Sequence, residues 1–161
     1  MFTPSLIVLA RAVHILAGVF WAGSMFVISG TLLPAMRANG PVLVPMMKRL
    51  GMLSGIAGLL TILAGIYLFA ALHGQDESTG GKVLGIGAIA AILAFVIALF
   101  VNMPAGRKLA KLHATPMADA KDQERMLSTL QFRIRLGVRL ISGLLGVAVL
   151  CMAVFRYASL L

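Results

Sequence analysis

Charged residues are scarce in this chain of 161 residues, making up 12% of the sequence against 60% for apolar residues. The five acidic residues all lie between the long apolar stretches and none lies inside them. A proton-relay transporter or an acid-base hydrolase acting within a membrane needs carboxylates at that depth, so neither class has its machinery here. Cysteine occurs once, as Cys151, which excludes a disulfide framework and a paired-cysteine metal motif.

Four apolar stretches fill most of the chain, at residues 6–33, 50–72, 83–103 and 137–158. Each has the roughly 20 residues that a helix needs to cross a hydrocarbon core about 30 Å thick. The first stretch is too long for the core of a signal peptide, so it is interpreted as a retained helix. The sequence therefore predicts an all-α integral membrane four-helix bundle, with residues 1–161 forming a single transmembrane domain.

Basic residues are concentrated on one predicted side of the membrane. If the four helices alternate in direction, eleven lysines and arginines lie on the side of residues 34–49 and 104–136, and three lie on the other side. Cytoplasmic connections carry this excess, so both termini are expected on the outer (periplasmic) side of a bacterial inner (plasma) membrane. Since the charges adjoin membrane segments without a nucleic-acid-binding motif, the expected partner is the lipid bilayer and not nucleic acid.

The connection at residues 104–136 mixes charges of both signs with leucines at helical spacing. This pattern predicts either a continuation of the flanking helices or a short surface helix broken near Pro116. Small residues fall near one face of the second and fourth stretches, where they let helices approach closely; such faces are also compatible with a homo-oligomer.

Four residues of the first stretch, namely His14, Gly18, Trp21 and Met25, lie on one face of a helix, all within about 40° of His14. A histidine that faces lipid is costly, so His14 is expected to face the bundle interior or a polar cavity. Gly18 then leaves room for a flat ligand, and Trp21 and Met25 supply a polarizable wall. The structural alternative is a His14 hydrogen-bonded to a neighbouring helix and a Trp21 packed in the core.

The predicted topology brings four more polar residues to the same outer end of the bundle as His14: Arg11, His73, Lys82 and Arg156. This set suits haem b, because a histidine supplies an axial nitrogen to iron and arginines pair with propionates. The second ligand would be His73, Lys82, Met25 or water. Each of these residues also has a simpler interpretation, as a solvated residue at a helix end or a cation that reaches lipid head groups.

The segment "HILAGVFWAGSMFV" resembles the opening helix of the CopD-like copper-resistance domain family and of HemJ-type membrane protoporphyrinogen oxidases. The resemblance continues in "PMMKRLGMLSGIAGLLTILAGIYL" and "GGKVLG" and covers about the first two thirds of the chain. It implies haem b binding, with His14 as a haem residue and Lys82 as the catalytic residue. The chain reads "SMFVISGTLLPAM" where the family has a tyrosine, proline and arginine run with a further histidine, which favours haem binding over porphyrinogen oxidation.

The leading hypothesis is a haem b-binding membrane redox protein, a possible oxidoreductase that exchanges electrons with a quinone, a porphyrinogen or a redox protein. A second hypothesis is a copper-handling transport protein of CopD-like type, in which His14, Met25 and His73 contact the metal. A third is a structural membrane subunit without a cofactor, in which the glycine faces serve helix packing alone.

Overall fold

A computed structural model describes residues 3–72, 78–115 and 119–158 of the chain, with side chains described at all of these except 36–42, 44, 113, 114 and 156. Nearly every described residue is helical. The helices are α1 (Pro4–Val27), α2 (Leu33–Leu72), α3 (Thr79–Ile97), α4 (Met103–Ala114) and α5 (Ala120–Ala158), with π-helical segments at Ile28–Leu32 and Ala98–Asn102.

The predicted four-helix membrane fold is confirmed. Four helical spans are long and apolar enough to cross a bilayer, namely Pro4–Ala35, Pro45–Leu72, Thr79–Leu112 and Ala120–Phe155. Helices suit this environment because they satisfy their backbone hydrogen bonds internally. Many large apolar side chains point outward, including Leu16, Val8 and Phe100 at 73%, 69% and 70% exposed. Such a surface is suited to contact with lipid tails.

Local sequence signals fix the starts of three helices. Proline occupies the first turn of α1, where its missing N–H costs no hydrogen bond, and a second proline lies in the first turn of α4, which follows the π segment without a break. At the start of α3, the Ser78 hydroxyl accepts a hydrogen bond from the Gly81 backbone N–H at 3.1 Å. This is an N-cap, which satisfies one of the free donors of the first turn.

The structure is built from two antiparallel helix pairs. In the first pair, His14 of α1 lies against Thr61 of α2, and Ser24 lies against Ser54. Between these two contacts, the residue number on α2 falls as the residue number on α1 rises, so the two helices run in opposite directions. The chain therefore reverses direction between the spans Pro4–Ala35 and Pro45–Leu72.

The second pair is a long hairpin in which α3 and α4 together pack along α5. Gly87 contacts Cys151 near one end of the hairpin, and Gln123 Nε2 donates to the Leu112 carbonyl at 3.5 Å near the other. The connection at residues 104–136 is thus largely helical and continues the flanking helices. Of the two expectations for this segment, the structure supports the continuation.

The two pairs meet through aromatic and small residues in the middle of the bundle. Trp21 of α1 contacts Phe95 of α3 edge-to-face, with ring centroids 6.0 Å apart and planes at 84°. The Ser142 hydroxyl of α5 donates to the Met25 carbonyl at 3.1 Å. Around these contacts, the core contains many alanines, so the helix backbones can approach closely.

Both π-helical segments directly precede a proline. Ile28–Leu32 lies two residues before Pro34, and Ala98–Asn102 lies two residues before Pro104. A proline ring in an α-helix clashes with the carbonyl four residues earlier, and a π turn widens the helix at that point. The predicted apolar stretches 6–33 and 83–103 end directly before these prolines, but in the structure the helices continue past both.

We expect Gly87→Ala to destabilise the bundle and Gly85→Ala to leave it nearly unchanged. A Cβ at Gly87 would lie 2.8 Å from Cys151 Cβ and 3.4 Å from the Ala148 carbonyl oxygen, whereas at Gly85 it would meet nothing within 4 Å. Overpacking of this kind costs about 1–3 kcal/mol. Both substitutions replace glycine by alanine in α3, so they raise its helix propensity equally. The difference between the thermal unfolding midpoints of the two variants in detergent therefore measures the steric effect. Equal midpoints would contradict the close α3–α5 contact.

Candidate functional site

His14 faces the neighbouring helix α2 and not the lipid. Its ring is half-buried, and Nδ1 lies 2.8 Å from the Thr61 carbonyl oxygen. A carbonyl oxygen can only accept a hydrogen bond, so Nδ1 carries the hydrogen and donates it. In the neutral ring the lone pair is then on Nε2. This contact is the one that the structural alternative for His14 predicted.

Gly65 makes room for the histidine ring on α2. A Cβ at this position would lie 2.8 Å from His14 Cε1 and 3.1 Å from Nδ1, so the ring occupies the volume that any side chain would take. The Thr61 hydroxyl donates to the Ala57 carbonyl of its own helix at 2.7 Å and does not compete for His14. The glycine and the carbonyl together fix the position and tautomer of the ring.

The second ring nitrogen of His14 makes no hydrogen bond in the described part of the chain. Nor is Nε2 among the buried side-chain atoms that lack a partner there. Nε2 is therefore not fully buried. A histidine whose Nδ1–H is held by a backbone carbonyl, with Nε2 available, has the arrangement found in most metal-ligating histidines.

The rest of the predicted ligand face packs against protein. Thr61 Cγ2 would be 3.4 Å from a Cβ at Gly18, so the threonine methyl fills the space expected for a flat ligand. Trp21 is 2% exposed and lies over Gly58 and against Phe95. Met25 is 8% exposed in the same core. In the structure this face therefore packs α1 against its neighbours, and Trp21 is a core residue.

The other predicted residues lie closer to the helix ends. Arg11 is exposed on α1, three residues before His14 and therefore on a nearby face. Lys82 is exposed in the first turn of α3, and the pairing of Gly87 with Cys151 puts the backbone of Arg156 at the same level. His73 and the side chain of Arg156 lie outside the described part of the chain.

The vertical spacing of these residues follows from the Trp21–Phe95 contact. If the four spans alternate in direction, α1 and α3 are parallel, and this contact puts His14 level with residue 88 of α3. Lys82 is six residues further toward the helix start, or about 9 Å along the axis. Met25 is eleven residues from His14 in the other direction, about 16 Å, so these two residues cannot bind the same ion.

The sequence interpretation missed the two residues that hold His14, although both carry a detectable signal. Thr61 is one of few polar residues in the second apolar stretch, and Gly65 belongs to its predicted glycine face. Their pairing with His14 depends on the register between α1 and α2, which a single sequence does not give. Among the described residues, no group of three or more histidine, cysteine and acidic side chains is placed to bind a metal.

Comparisons with known protein families, curated proteins and solved structures found no significant match to this chain.

We expect the neutral His14 ring to carry its hydrogen on Nδ1 and its lone pair on Nε2 in the protein without cofactor. Nitrogen NMR of protein labelled in histidine reports this directly, and His14→Gln assigns the signal among the three histidines. Gly65→Ala should move the ring and shift both nitrogen resonances, because the new methyl overlaps Cε1. Gly55→Ala on the same helix, with nothing within 4 Å, is the matched control. A protonated Nε2 would contradict the assignment.

Proposed function

We infer that the chain is a haem b-binding integral membrane redox protein with His14 as an axial ligand. One observation carries this proposal: the Thr61 carbonyl holds Nδ1–H, while Nε2 has no hydrogen-bond partner among the described residues and is not fully buried. A histidine inside an apolar span costs free energy unless it has such a hydrogen-bond partner, and polar residues at this depth commonly mark functional sites. The resemblance of residues 14–27 to the CopD-like and HemJ-type first helix points to the same role.

The polar residues around His14 fit a haem to which the described residues would supply one iron ligand. Nε2 of His14 would hold the iron, and Arg11, one turn closer to the helix start, would pair with a propionate. His73 or Lys82 would supply the second ligand or contact the substrate, with Arg156 as a further charge partner. When bound, haem b supplies one-electron chemistry through its iron.

The chain's own residues prepare the ligand for this task. The hydrogen bond from Nδ1 to the Thr61 carbonyl fixes the ring orientation and leaves the lone pair of the neutral ring on Nε2. Gly65 keeps the ring close to α2, and the apolar side chains of the surrounding span exclude water. The electron partner in this proposal is a quinone, a porphyrinogen or a redox protein.

Neither alternative function has a comparable observation in its favour. A shared Cu(I) site needs His14 and Met25 together, but these residues are about 16 Å apart along one helix. A structural subunit without cofactor explains the Thr61 hydrogen bond and the glycine packing, yet it assigns no role to the free Nε2. The optical test below separates haem binding from both.

The proposed location is the bacterial inner membrane, with both termini on the periplasmic side. The excess of lysine and arginine at residues 34–49 and 104–136 supports this orientation. In this orientation, His14 and Lys82 lie in the outer half of the bundle.

Protein purified after expression with haem supply should show a Soret band and sharpened bands on reduction. His14→Ala should lose at least about 90% of the bound haem, because no other described side chain offers a nitrogen at this position. His113→Ala is the control, since α4 lies at the opposite end of the bundle. Wild-type protein without a Soret band would defeat the proposal, and retention of haem by His14→Ala would defeat the ligand assignment.

Imidazole should restore haem binding to His14→Gly, because the added ring can occupy the vacated space and offer the same nitrogen. This result separates loss of the ligand from loss of the fold, and circular dichroism of the variant reports the fold independently. A folded variant that stays colourless over a range of imidazole concentrations would argue against coordination by His14.

Reporter fusions test the orientation. Alkaline phosphatase fused after residue 158 should be active in bacterial cells, and phosphatase fused after residue 115 should be inactive. A cytoplasmic fluorescent reporter should give the reverse pattern at the same two positions. Inverted activities would put His14 in the inner half of the membrane.

A further inference from the structure

A groove of about 500 Å³ lies along the part of α2 that begins at Pro45. Its described lining consists of Pro45, Met46, Arg49, Leu50 and Leu53. These positions fall within about 140° of one another on a helix, so the groove follows one face of α2. Its volume is within the ~300–1,000 Å³ typical of sites for small molecules.

Arg49, the one charged residue in the described lining of the groove, stands at the edge of the apolar span. Arg49 immediately precedes the uncharged stretch 50–72, which puts its backbone where the helix enters the hydrocarbon. Leu53 is one turn further in, about 6 Å along the axis. The groove therefore combines a cation at the membrane surface with apolar lining at the depth of the lipid tails.

Arg49 has no counter-ion in the described part of the chain. The first 75 residues contain no aspartate or glutamate, so the helix pair α1–α2 offers no carboxylate. The Arg49 side chain is exposed and makes no ion pair or hydrogen bond in the described part of the chain. A guanidinium at this depth gains most from a phosphate, which it can bind through two parallel N–H···O contacts.

We propose that this groove binds an anionic phospholipid, with the phosphate on Arg49 and an acyl chain along Leu50 and Leu53. Charge complementarity selects the anionic lipid, because the cation is unpaired and the same side of the bundle carries most of the basic residues. The apolar half of the groove selects a lipid over a free anion.

The test is native mass spectrometry of the full chain in detergent with added phosphatidylglycerol or phosphatidylcholine. We expect one retained phosphatidylglycerol per chain and weaker retention of phosphatidylcholine. Arg49→Gln should weaken phosphatidylglycerol retention about tenfold, in line with the loss of one charge-assisted contact. Arg139→Gln removes the same charge from an exposed position on α5 outside the groove and should leave retention unchanged.

A second variant tests the apolar half of the groove separately. Met46 is 49% exposed, so Met46→Trp is expected to fold while its larger side chain fills the groove. It should reduce phosphatidylglycerol retention although Arg49 is intact. Inorganic phosphate at millimolar concentration should not displace the lipid, because it cannot use the leucine-lined part.

Three outcomes would overturn the proposal. Equal loss in Arg49→Gln and Arg139→Gln would mean that total charge, and not the groove, retains the lipid. Equal retention of the two lipids would mean that Arg49 does not recognise a negative charge. Full displacement by inorganic phosphate would mean that the apolar half contributes nothing.

Discussion

Inside a bilayer, a polar group that finds no hydrogen-bond partner costs several kcal/mol, because no water is present to replace that partner. The interior of this bundle shows how the chain avoids that cost. Thr61 and Ser24 donate to carbonyls of their own helices, and Ser142 and His14 donate to carbonyls of neighbouring helices. The backbone itself is thus the acceptor that permits polar side chains in the spans, and the bonds between helices also fix their register.

Close approach of the helices depends on glycines that face another helix. At Gly58, a Cβ would lie 2.9 Å from the Trp21 ring, and at Gly65 it would overlap His14. Two ring side chains of α1, Trp21 and His14, therefore rest on glycines of α2. This complementarity keeps the indole and the imidazole inside the bundle, and it couples the position of His14 to the packing of the α1–α2 pair.

Hydrophobic length alone was enough to predict the four spans, because each apolar stretch is long and has few charges. The inward orientation of His14 was predictable too, from the cost of placing it in lipid. The contacts that decide its chemistry were not, since Thr61 and Gly65 meet it only at one register of α1 against α2. Trp21 shows the same limit. Its position on the helix was compatible with a cofactor wall, but in the structure α2 and Phe95 cover its ring. The apolar stretches 6–33 and 83–103 end directly before Pro34 and Pro104. The helices continue past both residues because a π turn accommodates a proline without ending the helix.

Those π turns also affect how the inner part of the protein is oriented. A π segment contains one residue more than the α-helix it replaces, and an added residue turns everything after it by about 100° around the helix axis. The side chains of α4 are therefore rotated about the helix axis relative to a regular continuation of α3. Those at the start of α2 are rotated relative to α1 in the same way. The segments on the far side of each π turn can consequently present their cations in a different direction without rotating His14 away from Thr61.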